Sequence, residues 1–559
     1  MTTTEQAPAP ATGPDGAQPP ARRGARGPFA ALAGLLAAAV ALGVAELVAG
    51  VVGPASSPVV AVGDTVITFV PEPVKQFAIA TFGENDKIAL VVGTLVVVAL
   101  YAVVIGLVSL RSRRLGVAGI ALFGVIGALA AATRPAGGLL DALPSVVGAL
   151  AGVLALLALV APLTLPAPAA APAGDVRPRP ADDDVLERLR GVLSMADRKG
   201  AGMDRRRFFV TGGVALGAAA VTGGGGRLLQ RRFDVSTARD GLALPAPSSP
   251  AAALPRGADL AGTVDGVTPL FTANRDFYRV DTAITVPQIR PADYRLTLSG
   301  MFGSPRSYTL TELLDRDDVI ERDITLTCVS NEVGGGLAGT ARWTGIPLGD
   351  LLRENGVSRD SDQLVCRSSD GMTIGAPTRA ALDVENAMIA FGMNGEPLPV
   401  EHGFPVRMLI PGLYGYVSAC KWMTGIEATT FAAFDAYWVQ RDWAREAPIK
   451  VASRIDTPAP LRAFAAGRRP IAGVAWAQTR GIARVEVRID EGEWQEAQLA
   501  PQAGTELWRQ WVLPHDFAPG SYQLTVRATT ADGEVQTDER ARPFPNGASG
   551  LHSVRVIAR

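Results

Sequence analysis

The stretch DITLTCVSNEVGG, residues 323–335, sets a cysteine at the end of a strand-like run and follows it at once with a polar, glycine-rich turn. Cys328 is one of three cysteines in 559 residues; Cys366 and Cys420 are the others. That odd number has no paired spacing, so a disulfide framework is not expected. Neither Cys-x-x-Cys nor Cys-x-x-Cys-His occurs, which argues against an iron–sulfur cluster or a c-type haem. A strand cysteine is ordinarily a small buried hydrophobe. Ligation of a metal by its thiolate is the rarer alternative. The three histidines, His402, His515 and His552, all fall late in the chain, so the N-terminal apolar segments have none with which to hold a bis-histidine haem.

The elements that must position Cys328 come after a region of another kind. Length suggests about four domain-sized units, and 48% hydrophobic with 19% charged residues suits a globular protein carrying membrane segments. A formal net charge of −1 gives no basic face for nucleic acid. Residues 1–27 form a Pro/Ala/Gly-rich tail expected to be disordered. Apolar stretches at 29–52, 88–110, 115–133 and 143–165 each approach the roughly 20 residues that cross a bilayer, predicting four transmembrane helices within 28–165. Glu46 is the one acid inside a span, there either for function or near enough to a helix end to snorkel. Arg22, Arg23 and Arg26 before the first span, with Arg111, Arg113 and Arg114 between the second and third, place both segments in the cytoplasm. Four crossings return the chain there for a linker, 166–203. DRRRFFVTGGVALGAAAVTGGGG, 204–226, is similar to a twin-arginine export signal, here internal, or is an ordinary fifth span. Either way the remainder lies outside the cytoplasm.

After a linker, 227–254, short strands and helices alternate over 255–445, which predicts an α+β domain. TLTELLDR (309–316) reads as a helix capped by Thr309 or Thr311, and RWTGIPLGDLLRENG as a turn and a helix ending at Gly356. Residues 446–559 are all-β, with alternation in ARVEVRID and SYQLTVRATTADG, and predict an immunoglobulin-like sandwich. The tryptophans at 476, 494, 508 and 511 are expected as core and interface anchors.

TLTCVSN, ARWTGIPLGDLL, MNGEPLPVEHGFPVRMLIPGLYGYVSACKWM and YWVQRDW, in that order and followed by the all-β region, resemble the sulfite oxidase family of molybdopterin enzymes, from about residue 265 to the C-terminus. The resemblance implies that Cys328 binds molybdenum beside the dithiolene of a single pyranopterin. It implies cofactor contacts at Asn274, Phe277, Tyr278, Asp370, Ala419, Cys420 and Lys421. His402 and Arg407 would grip the terminal phosphate and pterin edge, Arg407 through a bidentate fork. Cys366 and Cys420 keep their reading as structural residues, although Cys420 lies in the cofactor-contacting stretch, and an exposed turn residue is the rival reading of Asp370.

For substrate, the resemblance implies Arg279 beside the metal, Arg480, and a tyrosine near Tyr437. After CVSN the animal and plant enzymes carry arginines; this chain has Glu332 and Val333, which should weaken sulfite binding. The expected activity is two-electron oxygen-atom transfer, oxidising sulfite or a similar small oxyanion. An external cytochrome or a separate membrane partner would take the electrons. The alternatives are a sulfoxide reductase on the same scaffold, or a surface binding protein that uses the immunoglobulin-like region. A homodimer through that region is also implied.

Overall fold

The computed structural model describes residues 26–71, 74, 77, 81–82, 86–134, 136–164 and 204–559. Most of the expected tail, the expected linker at 166–203, and Arg22 and Arg23 lie outside these residues. The chain divides into two compact units. The first comprises Met1–Gly63, Thr81–Thr133 and Gly138–Arg231; the second comprises Asp64–Ala80, Arg134–Gly137 and Arg232–Arg559.

The first unit is helical, with α1 (Gly27–Val52), α2 (Asp86–Ser109), α3 (Arg113–Ala132), α4 (Leu143–Thr164) and α5 (Arg205–Gln230). Among the described residues, five helices are long and apolar enough to cross a membrane, and these are the four expected spans and the 204–226 segment. Small residues set their spacing. A Cβ on Gly34 would stand 1.9 Å from the Ala102 carbonyl oxygen, and one on Gly106 2.0 Å from that of Ala30, so α1 and α2 meet backbone to backbone. A Cβ on Gly226 would lie 2.5 Å from the Glu46 carbonyl, bringing α5 equally close to α1. Glu46 is held internally, its carboxylate accepting from the Ser57 hydroxyl and, at 2.8 Å, from the Gln230 amide.

Among the described residues, the second unit is built on four sheets. Its strands are β1 (Arg295–Gly300), β2 (Ser307–Thr309), β3 (Ile320–Thr327), β4 (Ala338–Pro347), β5 (Gln363–Ser368), β6 (Thr373–Pro377), β7 (Met388–Met393), β8 (Glu396–Pro397), β9 (Arg407–Leu409) and β10 (Met423–Thr429). They continue with β11 (Ala452–Thr457), β12 (Ala463–Phe464), β13 (Gly467–Trp476), β14 (Ile482–Ile489), β15 (Trp494–Glu496), β16 (Gln498–Leu499), β17 (Arg509–Phe517), β18 (Gly520–Thr530) and β19 (His552–Ala558). One sheet runs β2-β1-β10-β5-β6, with β1 and β10 parallel; a second runs β3-β4-β7-β8, with β9 added to β7. The helix Leu310–Leu314 starts at Thr309, whose hydroxyl and Glu312 form a reciprocal capping box. ARWTGIP, expected as a turn, is the second half of β4. Its Gly and Pro mark no break, because the strand is buried along most of its length between two layers. The helix Leu348–Glu354 follows it as expected, and Gly356 ends the turn beyond it at φ +66.

The remaining two sheets, β11-β13-β17-β16 and β12-β19-β18-β14-β15, enclose one apolar core that includes Ile471, Trp511, Val485, Leu524 and Val556. Trp476, Trp508 and Trp511 are buried as expected, whereas Trp494 lies half-exposed beneath Arg488 and Arg527.

Candidate active site

β3 carries Cys328 to its place. From Ile324 onward every residue of β3 is buried, which explains a strand whose threonines replace the usual exposed polar positions. Those threonines are satisfied. Thr325 Oγ1 accepts from the Trp508 N–H at 2.8 Å, and Thr327 Oγ1 accepts from Gln478 Nε2 at 3.3 Å. Register with β4 ends at Thr327 and Ala338, and Cys328 is the first residue beyond it. Its N–H donates to Leu337 O at 2.9 Å, and Asn331 Oδ1 accepts from the Leu337 N–H at 2.8 Å, closing the neck of the loop. Burial pushes the Cys328 thiol up; the Ser330 amide and hydroxyl and the nearby Lys421 act the other way, favouring a thiolate.

Around this sulfur the chain assembles a cluster of polar side chains among apolar ones. The Tyr278 hydroxyl lies within electrostatic reach of both Cys328 and Arg407, and burial drives its pKa far up. Phe277 stacks on Tyr278 at 5.2 Å and meets the edges of Trp343 at 5.9 Å and His402 at 5.5 Å. A Cβ on Gly339 would come 2.9 Å from the Phe277 ring, so only glycine leaves room for it. His402 Nε2 donates to Asn274 O at 3.1 Å, and the Asn274 side chain is fixed by Asn394 and Glu396. Burial and the adjacent Arg407 bring His402 down to about 4, so it is neutral at ordinary pH. Arg407 is 5% exposed, donates from Nη1 to His402 O at 3.0 Å and lies 5.0 Å from the centre of the Trp343 ring.

Lys421 Nζ donates to Asp281 at 2.7 Å and to Glu401 O at 3.2 Å. Asp281 also takes Arg279 at 2.8 Å, so one buried carboxylate bridges two of the expected cations. Burial lowers Lys421 to about 8 despite that partner. Asp370 closes its turn by accepting from the Met372 N–H at 3.0 Å and lies within electrostatic reach of Cys420. Cys420 O accepts from the Met408 N–H of β9 at 2.9 Å, and the Ala419 N–H donates to Gly415 O at 3.0 Å. Cys366 sits 3.3 Å from the Met408 sulfur in the core. Asn274, Phe277, Tyr278, Cys328, His402, Arg407 and Lys421 are thus brought together.

Two expected substrate residues take other partners. Arg480 pairs with Glu534. The Tyr437 ring lies 3.6 Å beneath the Arg441 guanidinium, its backbone bonded to Thr373 at 3.0 Å. The C-terminal loop reaches β3 through Gln478 instead, which binds Thr325 O at 3.1 Å as well as Thr327. Tyr414 was not anticipated either. It is 5% exposed, lies within electrostatic reach of Cys328 and is pushed by burial to about 12. Asp281 and Tyr414 stood within or beside the motifs, but nothing in their spacing marks them.

These buried residues pass a chemical test for an anionic cofactor. Arg407 Nε is buried without a hydrogen-bond partner, and so are the Ser368 and Ser369 hydroxyls. A desolvated guanidinium with an unpaired N–H is costly unless an anion completes it. Among the described residues no cluster of three or more His, Cys, Asp or Glu is placed to hold a metal by itself.

Residues 283–438 match the family described as oxidoreductase molybdopterin binding domain. The chain is 30% identical over 303 residues to mitochondrial sulfite oxidase of Mus musculus, covering 46% of this chain and 55% of that protein. It is 28% identical over 319 residues to sulfite oxidase of Gallus gallus, covering 48% and 69%. It is 26% identical over 319 residues to nitrate reductase (NADH) of Solanum lycopersicum, covering 45% and 35%. The chain therefore spans about half the length of the mouse relative. Through this region the chain carries a molybdopterin-binding oxidoreductase domain and is similar to sulfite oxidases.

Proposed function

We propose that this protein is a membrane-anchored oxidoreductase whose catalytic region works outside the cytoplasm, oxidising sulfite or a similar small oxyanion. The observation that carries the reading is the buried pocket in which Cys328, Tyr278, His402 and Arg407 converge, with Arg407 Nε unpaired. Cys328 would ligate the molybdenum. Arg407, His402 and the Ser368 and Ser369 hydroxyls would hold the phosphate and pterin edge. Asn274, Phe277, Ala419, Cys420 and Asp370 shape the pocket around them. When bound, the molybdenum cofactor supplies two-electron oxygen-atom transfer. The protein fixes the sulfur at a strand end, keeps water from Arg407, and balances Arg279 and Lys421 on Asp281. Electrons pass to an external cytochrome or a membrane partner. Five apolar helices support the anchoring. The two C-terminal sheets support an immunoglobulin-like sandwich that serves as a dimerisation surface.

One observation favours the reductase alternative. Asp281 offsets Arg279, Glu534 offsets Arg480, and Glu332 lies in the Cys328 loop, an arrangement that suits an uncharged sulfoxide better than a dianion. Purified full-length protein assayed with sulfite plus a one-electron acceptor, and with methionine sulfoxide plus a reduced donor, separates the two. Stoichiometric molybdenum is expected in active protein, with turnover lost in Cys328→Ser. Active protein free of molybdenum, or a fully active serine variant, would remove the proposal.

A further inference from the structure

We propose that Arg454 and His552, both in the C-terminal all-β region, are positioning residues for the Cys328 sulfur; this rests on the reading of Cys328 as the metal ligand. The loop from Cys328 to Leu337 links β3 to β4. Its neck is closed from within by the Cys328–Leu337 and Asn331–Leu337 bonds and by the Asn331 N–H on Cys328 O at 3.0 Å. Its tip makes one bond of its own, Gly335 N–H to Glu332 O at 2.8 Å. The grip on the tip comes from outside.

Arg454, on β11, donates from Nη1 to Gly335 O at 3.0 Å. Its Nε is held by Asp456 at 2.6 Å and its Nη2 by Thr268 at 2.9 Å. With three directions of a planar fork fixed and 9% exposure, the guanidinium cannot swing, so β11 sets the height of the Gly335 carbonyl. His552, the first residue of β19, presses on the adjoining residue. Gly334 has φ +80, and a Cβ there would lie 2.2 Å from the imidazole. The ring is registered to β11, its Nδ1 accepting from the Ile455 N–H at 3.0 Å, one residue from Arg454. Two strands of different sheets therefore clamp consecutive residues of the loop that begins at the sulfur. A ligand held on rigid strands keeps its position far better than one on a loop closed only upon itself. Neither side chain has a contact with the sulfur, so both act through the loop.

The test uses the full-length chain made in a host unable to synthesise the cofactor. Native alkylation by iodoacetamide is followed at each cysteine by mass spectrometry, with Cys366 and Cys420, both 0% exposed, as internal controls. Arg454→Met and His552→Ala should each speed alkylation of Cys328 by about tenfold or more, with Arg454→Lys in between. Gly334→Ala should also speed it, and by a smaller factor in the His552→Ala background, where the clash with the imidazole is gone. In molybdenum-loaded protein, Arg454→Met should shift the Mo(V) paramagnetic resonance spectrum at unchanged metal content, and Arg454→Lys should move it back. Wild-type alkylation rates in every single variant, or a Gly334→Ala effect as large without His552 as with it, would overturn the clamp. Failure of the underlying reading looks different: loaded Cys328→Ser would then give the wild-type spectrum, while the alkylation rates still report on the clamp.

Discussion

Arg407 has lost its water, stacks on Trp343, and spends one N–H on a backbone carbonyl while Nε finds nothing. Such a group is expensive without an anion and valuable beside one. Arg407→Met keeps much of the volume and removes the buried charge, so the cofactor-free protein should melt at the same temperature or higher. Molybdenum content after expression in a competent host should nevertheless fall by about tenfold or more, the scale of a lost charged hydrogen bond. A variant that loads normally would show that Arg407 is only a structural residue. Protons act here too. His402 and His552 are each brought from 6.5 to about 4, by burial first and by a neighbouring arginine second. With the folded value below the unfolded one, the unfolded chain binds more protons between those limits. Their stabilising contribution is therefore full above pH 6.5 and lost as pH falls through 4, at about 1.4 kcal/mol per pH unit for each proton taken up. Denaturant titrations of cofactor-free protein from pH 7 to 4 should show this slope, and His402→Gln should flatten it. An unchanged slope in that variant would exclude the buried neutral imidazole.

The elements show which features short-range pattern can reveal. Cys328 at a strand end, the capped helix after Thr309 and the helices of the first unit were readable, because each depends on neighbours in sequence: alternation, a capping box, sustained apolarity. The second half of β4 was read as a turn because glycine and proline outweighed burial that comes from distant strands. The clamp on Cys328 was beyond reach for a related reason. Arg454 and His552 lie 119 residues or more from the glycines they touch, and no local spacing encodes that approach. Glycines in the helical unit give a direct test at this scale. With Gly106 pressed against the Ala30 carbonyl, Gly106→Leu must drive α1 and α2 apart and forfeit the close contact. Cysteine cross-linking between Gly27→Cys and Leu107→Cys, positions where a Cβ on Gly27 lies 4.0 Å from Leu107 Cδ2, should be efficient in detergent in the parent and largely lost beside Gly106→Leu. Equal cross-linking would mean that the two helices do not meet in this way.

At the scale of the whole molecule, the question is whether α5 stays. It opens on DRRRFF, as an export signal does, and signals of that type are removed. Yet α5 is fitted to α1 along its length. Phe208 and Phe209 pack against Phe29 at one end, with ring centres 5.3 and 5.9 Å away, and Gly226 and Gln230 close on Glu46 at the other. Removing α5 would leave Glu46 inside an apolar helix with one of its two donors gone, an expensive arrangement at membrane depth. We therefore expect α5 to remain as a permanent fifth span, joining the helical unit covalently to the catalytic region. A C-terminally tagged full-length chain should stay in the membrane fraction after carbonate washing, and the tagged band should yield peptides from α1. Gln230→Leu, which withdraws the amide from Glu46, should lower the temperature at which the detergent-solubilised helical unit loses its helix signal, whereas Gln230→Asn should lower it less. A tagged product whose N-terminus falls between residues 226 and 254 would mean that the segment is a leader after all, and that α1 holds it only until it is cut.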